Sequence, residues 1–127
     1  MFKSGASVAV VGYSEKAHRV SLKVTQFLLD EGNKITGINP HLAETDETKV
    51  PVRKTLSELD GAVDIIQVFR NSAVLNELAD EILELPWLPK LVWCQQGVVD
   101  VMFQQRLENA GVSVVMDACP YALRSYL

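Results

Sequence analysis

Two hydrophobic rhythms alternate along this chain. Nearly unbroken apolar runs occupy Ser7–Val11 and residues 34–39, 63–69, 90–95 and 112–117. Such runs suit strands buried on both faces. Between them, apolar positions recur at helical spacing. Val20–Asp30 carries Val20, Val24, Phe27 and Leu28, and residues 72–85 carry Val74, Leu75, Leu78, Ile82 and Leu85. Residues 99–110 form a third such segment. The stop signals agree with these bounds: Gly32 and Gly111 follow two of the helical segments, Pro86 and Pro89 follow the other, and Pro40 ends the second strand. Residues 41–48 are polar and predict a loop, Val50-Pro51-Val52 a short extended piece, and Thr55-Leu56-Ser57-Glu58 a capping box opening a short helical turn. The tail, residues 118–127, is expected to add one last turn.

Strands that alternate with helices imply right-handed crossovers and a parallel sheet. The expected fold is therefore α/β: a single Rossmann-like, doubly wound parallel sheet of about five strands with helices on both faces. The expected strand order is 3-2-1-4-5 or a close variant. No repeat, low-complexity tract or linker interrupts the chain, so residues 1–127 form one domain. In such sheets ligands bind beyond the carboxyl ends of the strands, where strand order reverses. Those ends are Gly12-Tyr13-Ser14, Asn39-Pro40-His41, Phe69-Arg70-Asn71, Gln95-Gln96-Gly97 and Asp117-Ala118-Cys119-Pro120. All are polar or carry glycine or proline, whereas the strands carry almost nothing reactive.

Composition narrows the function. With 48% hydrophobic and 22% charged residues, the chain is an ordinary globular sequence. The apolar runs are too short to span a bilayer. The first strand is expected directly after Met1-Phe2-Lys3-Ser4-Gly5, so no signal peptide is expected and the expected compartment is the cytoplasm. A net charge of −4 argues against general nucleic-acid binding. It does not exclude a small anion, because Lys16, His18, Arg19 and Lys23 cluster just after the Gly12 turn. Cys94 and Cys119 are too few for a disulfide scaffold and lack metal-ligand spacing, so no metal site is expected and both read as reduced thiols.

The turn at Gly12 is where the chemistry concentrates. A strand, a glycine turn and a helix aim backbone N–H groups and a positive helix end at an anion. Two absences restrict which nucleotide that is. Gly12-Tyr13-Ser14-Glu15-Lys16-Ala17 has one glycine where a dinucleotide fingerprint has three, and Asn39-Pro40-His41 stands where a nicotinamide site wants an acid. No Walker loop is present. Several residues near the turn carry both a structural and a binding reading. Ser14 is a turn residue or a phosphate donor. Tyr13 stacks on a base or shields the loop. Arg19 is a solvated helix-start charge or a phosphate ligand. Asn39-Pro40 ends the strand or lies at the switch point. Arg70 directly follows an apolar strand and must reach the cleft or a partner. Trp93 reads as core, and Asp80-Glu81 with Glu84 as a solvated helix face. His18 and His41 make no catalytic pair, and no nucleophile constellation is visible, so no catalytic residue is assigned.

Across its whole length the chain resembles the small stand-alone CoA-binding proteins. These are related to the CoA-binding domain of succinyl-CoA ligase α subunits and of ADP-forming acyl-CoA synthetases. The matching stretches are V-A-V-V-G-x-S at 8–14, Arg19 with Ser21 and Lys23-Val24, Ile38-Asn39-Pro40, Val68-Phe69-Arg70, Trp93 to Val98, and Val114 to Asp117 with Cys119-Pro120. It departs from the family at three places: His41 stands where a basic residue is common, Ala118 where Arg often precedes Cys-Pro, and Val20 where a proline is usual.

The resemblance implies coenzyme A lying across the carboxyl edge. The turn from Gly12 through Tyr13 and Ser14 to Lys16 would take the diphosphate, and His41 or the loop behind it would face the adenosine 3′-phosphate, with Arg19, Asn39 and Pro40 as further binding residues. Val68, Phe69 and Arg70 would flank the adenine or pantetheine, and Gln95, Gln96 and Gly97 the pantetheine arm. It further implies a non-catalytic carrier, sensor or accessory module for CoA or an acyl-CoA, either as a homodimer or docked on a separate catalytic chain. The alternative is a small oxidoreductase or transferase using NAD(P), or thiol chemistry at Cys119.

Overall fold

The computed structural model describes residues 5–15, 20–42 and 48–120. Among the described residues, six parallel strands form one sheet: β1 (Ser7–Val11), β2 (Lys34–Ile38), β3 (Val52–Arg53), β4 (Ile65–Val68), β5 (Leu91–Cys94) and β6 (Ser113–Val115). They lie in the order β3-β2-β1-β4-β5-β6. The α/β doubly wound fold is as expected, with one correction to the strand order. The third long apolar run, now β4, does not sit beyond β2. It lies against β1, with Val8 opposite Ile65 and Val11 opposite Val68. The edge place beyond β2 belongs to β3, only two residues long, which pairs Val52 with Gly37 and Arg53 with Ile38.

Alternation within β1 divides the core. Val8 and Val10 face α1 (Val20–Asp30), where Val24 and Leu28 cover them together with Ile35, Ile65 and Trp93. Ala9 and Val11 face the opposite layer, built from α2 (Leu75–Leu83) and α3 (Val101–Asn109). There Leu75, Leu78, Ala79, Ile82, Phe103 and Leu107 are buried against Ile66, Val68 and Val92. Both faces are covered, which is why the strands read as continuous apolar runs.

Capping side chains account for the shorter helices. Asp100 accepts the Phe103 N–H at 3.0 Å, so α3 starts at Val101 rather than 99. Asn71 accepts from Ala73 N at 2.9 Å and opens a 3-10 turn, Ser72–Val74, ahead of α2. The short turn after Thr55 forms over Leu56–Glu58, but without the expected capping box: the Thr55 hydroxyl meets Ser57 Oγ at 2.9 Å instead.

At the amino edge, Asp64 ties β1 to β4. Its Oδ2 accepts from Ser7 N at 3.1 Å and from the Ser7 hydroxyl at 3.3 Å, and Lys90 Nζ stands 3.6 Å from Oδ1. The Ser7 N–H holds the Asp64 carboxyl below its ordinary value against the opposing effect of burial, and Lys90 lowers it further. Among the described residues, no helix is long and apolar enough to cross a membrane.

Candidate functional site

The strand order sets the site. The chain runs from β1 to β2 and β3 on one side, then crosses to β4 on the other. The reversal therefore lies between the carboxyl ends of β1 and β4, where the loops starting at Gly12 and Phe69 meet. Gly12 has φ +84. A Cβ there would lie 2.6 Å from Phe69 O, 3.1 Å from Phe69 C and 3.3 Å from Arg70 Cδ. Only glycine meets both the backbone angle and the spacing. The Gly12 N–H donates to Ile38 O at 3.2 Å, so Gly12 contributes close approach rather than a free donor.

The two residues after Gly12 are held from below. Tyr13 is wholly buried in the α1-side core. Its ring lies on Gly37, where an added Cβ would come within 2.5 Å of Tyr13 Cδ2. Its hydroxyl donates to Glu15, which also accepts Lys49 N at 2.6 Å. Burial, and then the Glu15 carboxylate, push the Tyr13 phenol well above its ordinary value. Of the two readings of Tyr13, the ring thus sits under the loop with no face open to a base. Ser14 is half-buried beside it. Lys16, His18 and Arg19 lie outside the described residues, and Lys23 is exposed on α1.

Asn39 also works inward. Its Nδ2 donates to the Tyr13 carbonyl at 2.8 Å, and its Oδ1 accepts from His41 N at 2.8 Å and Leu42 N at 3.2 Å. It follows β2, one strand away from the reversal, and braces the loop that starts at Gly12. His41 is exposed on the turn that Asn39 caps.

A cleft of about 210 Å³ opens at this edge on the α2 side. Its floor is Val11, Ile38 and Pro40, and α2 supplies Val74, Glu77, Leu78 and Glu81. Two cations flank it: Arg70 after β4, and Lys54 after β3, beside Thr55. Among the described residues neither cation forms an ion pair, whereas Arg53, Lys90 and Arg106 each do. Arg70, expected from the sequence to reach the cleft or a partner, lines the cleft. Lys54 was not singled out, because it follows a strand too short to show a period. Glu81 corrects a reading: it is not simply solvated, since it lines the cleft and its Oε1 accepts Leu56 N at 3.1 Å. Asp80, its neighbour, pairs with Arg106.

The other sequence candidates divide by burial. Val68 is fully buried in the sheet and Phe69 half-buried, its carbonyl against Gly12. Gln95 is buried and pairs with Gln67 of β4 at 3.4 Å, while Gln96 and Gly97 are exposed beyond it. Gln67 is completely buried and its Oε1 has no partner among the described residues. In the sequence it is, with Asp64, one of two polar exceptions in the apolar run 63–69. Trp93 belongs to the core and donates to Ala118 O at 2.7 Å. Burial pushes the Cys94 thiol up to about 12, which leaves it an unreactive core group. Cys119 is half-buried in the segment that follows β6.

The chain is similar to proteins that share this outline. A family model described as "CoA binding domain" matches residues 6–124. The uncharacterized protein YneT of Bacillus subtilis is 38% identical over 112 residues, spanning 88% of this chain and 80% of that one. Among solved structures, the Thermus thermophilus protein cell-free ID.343 superposes with a TM-score of 0.87 at 29% identity, over 96% of this chain and 90% of that one. A conserved hypothetical protein from Pyrococcus furiosus gives a TM-score of 0.78 at 25% identity, covering 92% and 97%.

Proposed function

Because this chain belongs to the CoA binding domain family, we propose that it binds coenzyme A or an acyl-CoA across the carboxyl edge of the sheet and works as a carrier, sensor or accessory module rather than as a catalyst. The observation that carries this reading is the pairing of a crowded glycine turn with an adjoining two-cation cleft. Gly12 lets the loops after β1 and β4 close to a distance no other residue permits. Arg70 and Lys54 flank the cleft beside it without ion partners among the described residues. CoA asks for such a surface: a diphosphate, a 3′-phosphate, a flat base and an amide-bearing arm.

In this reading the diphosphate lies over the loop from Gly12 to Ser14, with Lys16 and Arg19 as its cations. The adenosine end enters the cleft over Pro40, and its 3′-phosphate is read by Lys54 and Arg70. Glu77 and Glu81 supply acceptors for the amino group of the base. The pantetheine arm runs toward Gln95, Gln96 and Gly97. An accessory role calls for a cytoplasmic protein that hands its thioester to a separate catalytic chain or pairs with a second copy.

Thermal unfolding with CoA, dephospho-CoA, NAD and NADP tests the reading by mass action. The expected result is a rise in Tm with CoA that exceeds the rise with dephospho-CoA. A rise with NAD or NADP alone would replace this reading with the oxidoreductase.

A further inference from the structure

The end of β6 is built irregularly, and the irregularity points at the loop after β5. Pairing between these strands is regular through Trp93 opposite Val115. It then resumes out of step, with Ala118 N donating to Cys94 O at 3.2 Å, so Met116 and Asp117 are looped out as a bulge. Within it, Asp117 has φ +56 and is the only non-glycine among the described residues with a positive φ. That conformation is unfavourable for any side chain, though Asp and Asn tolerate it best, and it persists only where surrounding contacts enforce it.

The contact it makes is specific. Asp117 Oδ1 accepts the Gly97 N–H at 2.6 Å. Gly97 is the third residue of a turn closed by Val98 N donating to Gln95 O at 2.9 Å. With Gly97 at φ +86 and Gln96 not in the positive region, this is a type II turn. The Gln96–Gly97 peptide at its centre is the unit that rotates when such a turn changes type. Asp117 grips that peptide by its N–H, and a trans peptide then turns the Gln96 carbonyl the opposite way, off the edge strand. Two further contacts hold the rest of the loop: Val99 N donates to Ser72 Oγ at 3.0 Å, and Asp100 N to Met116 Sδ at 3.5 Å.

We propose that Asp117 is a positioning residue for the ligand's amide arm. It locks the Gln96–Gly97 peptide so that the Gln96 carbonyl faces the carboxyl-edge crevice and accepts an amide N–H of the pantetheine chain. The inference rests on the CoA reading above and adds to it the residue that sets the orientation of the arm's acceptor. The αL bulge aims the carboxylate at Gly97, and ligand binding gains because the acceptor is ordered beforehand.

Calorimetric titration of CoA and of adenosine 3′,5′-bisphosphate, which lacks the arm, tests this on the wild type, D117A, D117G and D117N. Both ligands should bind the wild type. D117A and D117G should weaken CoA about tenfold and leave the bisphosphate within about twofold of the wild type. D117N keeps an acceptor and tolerates the backbone angle, so it should restore CoA binding to within about threefold. D117G, free of backbone strain, should melt no lower than the wild type, which separates loss of the latch from loss of the fold. Equal losses for both ligands, or unchanged CoA affinity in D117A and D117G, would overturn the positioning role. A wild type that binds the bisphosphate and CoA equally well would overturn it also. A wild type that binds neither would overturn the CoA reading itself.

Discussion

The carbonyl oxygen of Phe69 occupies the space that a Cβ on residue 12 would need, 2.6 Å from its ideal position. Two segments of the carboxyl edge that are distant in sequence and adjacent in the sheet thus meet through a missing side chain. Replacing Gly12 with Ala forces a positive φ on alanine and separates the ends of β1 and β4. We expect G12A to cost about 3 kcal/mol, lowering Tm by about 10 °C, and to abolish detectable CoA binding. Thermal unfolding and a CoA titration check both effects. A G12A protein as stable as the wild type would show that the approach is not needed.

Asn39 reaches across to the Tyr13 carbonyl at 2.8 Å while its oxygen caps the turn at His41 and Leu42. N39A should therefore weaken CoA about tenfold by loosening the loop. N39D should be worse, because it keeps the cap but sets a carboxylate against the Tyr13 carbonyl. Thermal unfolding of the unliganded N39A protein distinguishes this bracing role, which lowers Tm, from direct ligand contact, which would weaken CoA and leave Tm unchanged.

Lys54 and Arg70 flank one cleft from opposite sides of the reversal. K54A and R70A should each weaken CoA about tenfold and dephospho-CoA much less. H41A, altering an exposed side chain outside the cleft wall, should change neither ligand by more than about twofold. Losing discrimination between the two ligands in H41A, with K54A and R70A neutral, would move the 3′-phosphate to the end of β2.

Asp64 predicts the acid limb of stability. Its carboxyl is held low in the folded chain by the Ser7 N–H and Lys90. A depressed folded value stabilises the fold above the ordinary carboxylate range, and that stabilisation fades as pH falls through the folded value. The side chain is 40% exposed, so screening keeps the effect small. D64A should cost about 1 kcal/mol at neutral pH, and the deficit should shrink on acidification below about pH 4. Urea unfolding across pH 3–7 measures it, and a deficit that is flat with pH would contradict the account.

The layered fold was legible because β1, β4 and β5 are buried on both faces and so lose their polar alternation altogether. Strand order was less so. Val52–Arg53 takes the outer place on two residues, too few for a period, and β4 consequently moves beside β1. At the site, the backbone signal at Gly12 read well, since it is at a crowded turn, and of the two places open to Arg70 it takes the cleft. Side-chain directions did not follow from position. Asn39 and Tyr13 look like ligands by location, yet a carbonyl partner and a burial niche over Gly37 turn both inward. Lys54 carried no signal because its place depends on β3. Asp117 stood among the strand ends, but its direction did not follow, because a bulge, which leaves no pattern in sequence, aims its carboxylate.

Calorimetric titration of CoA into the unmodified protein tests the central claim most directly. The account predicts one-to-one saturation with a Kd of about 10 μM or tighter, and a measurably weaker curve for dephospho-CoA. Absence of saturation up to about 1 mM CoA, in protein shown by native mass spectrometry to carry no CoA-sized adduct, would contradict it.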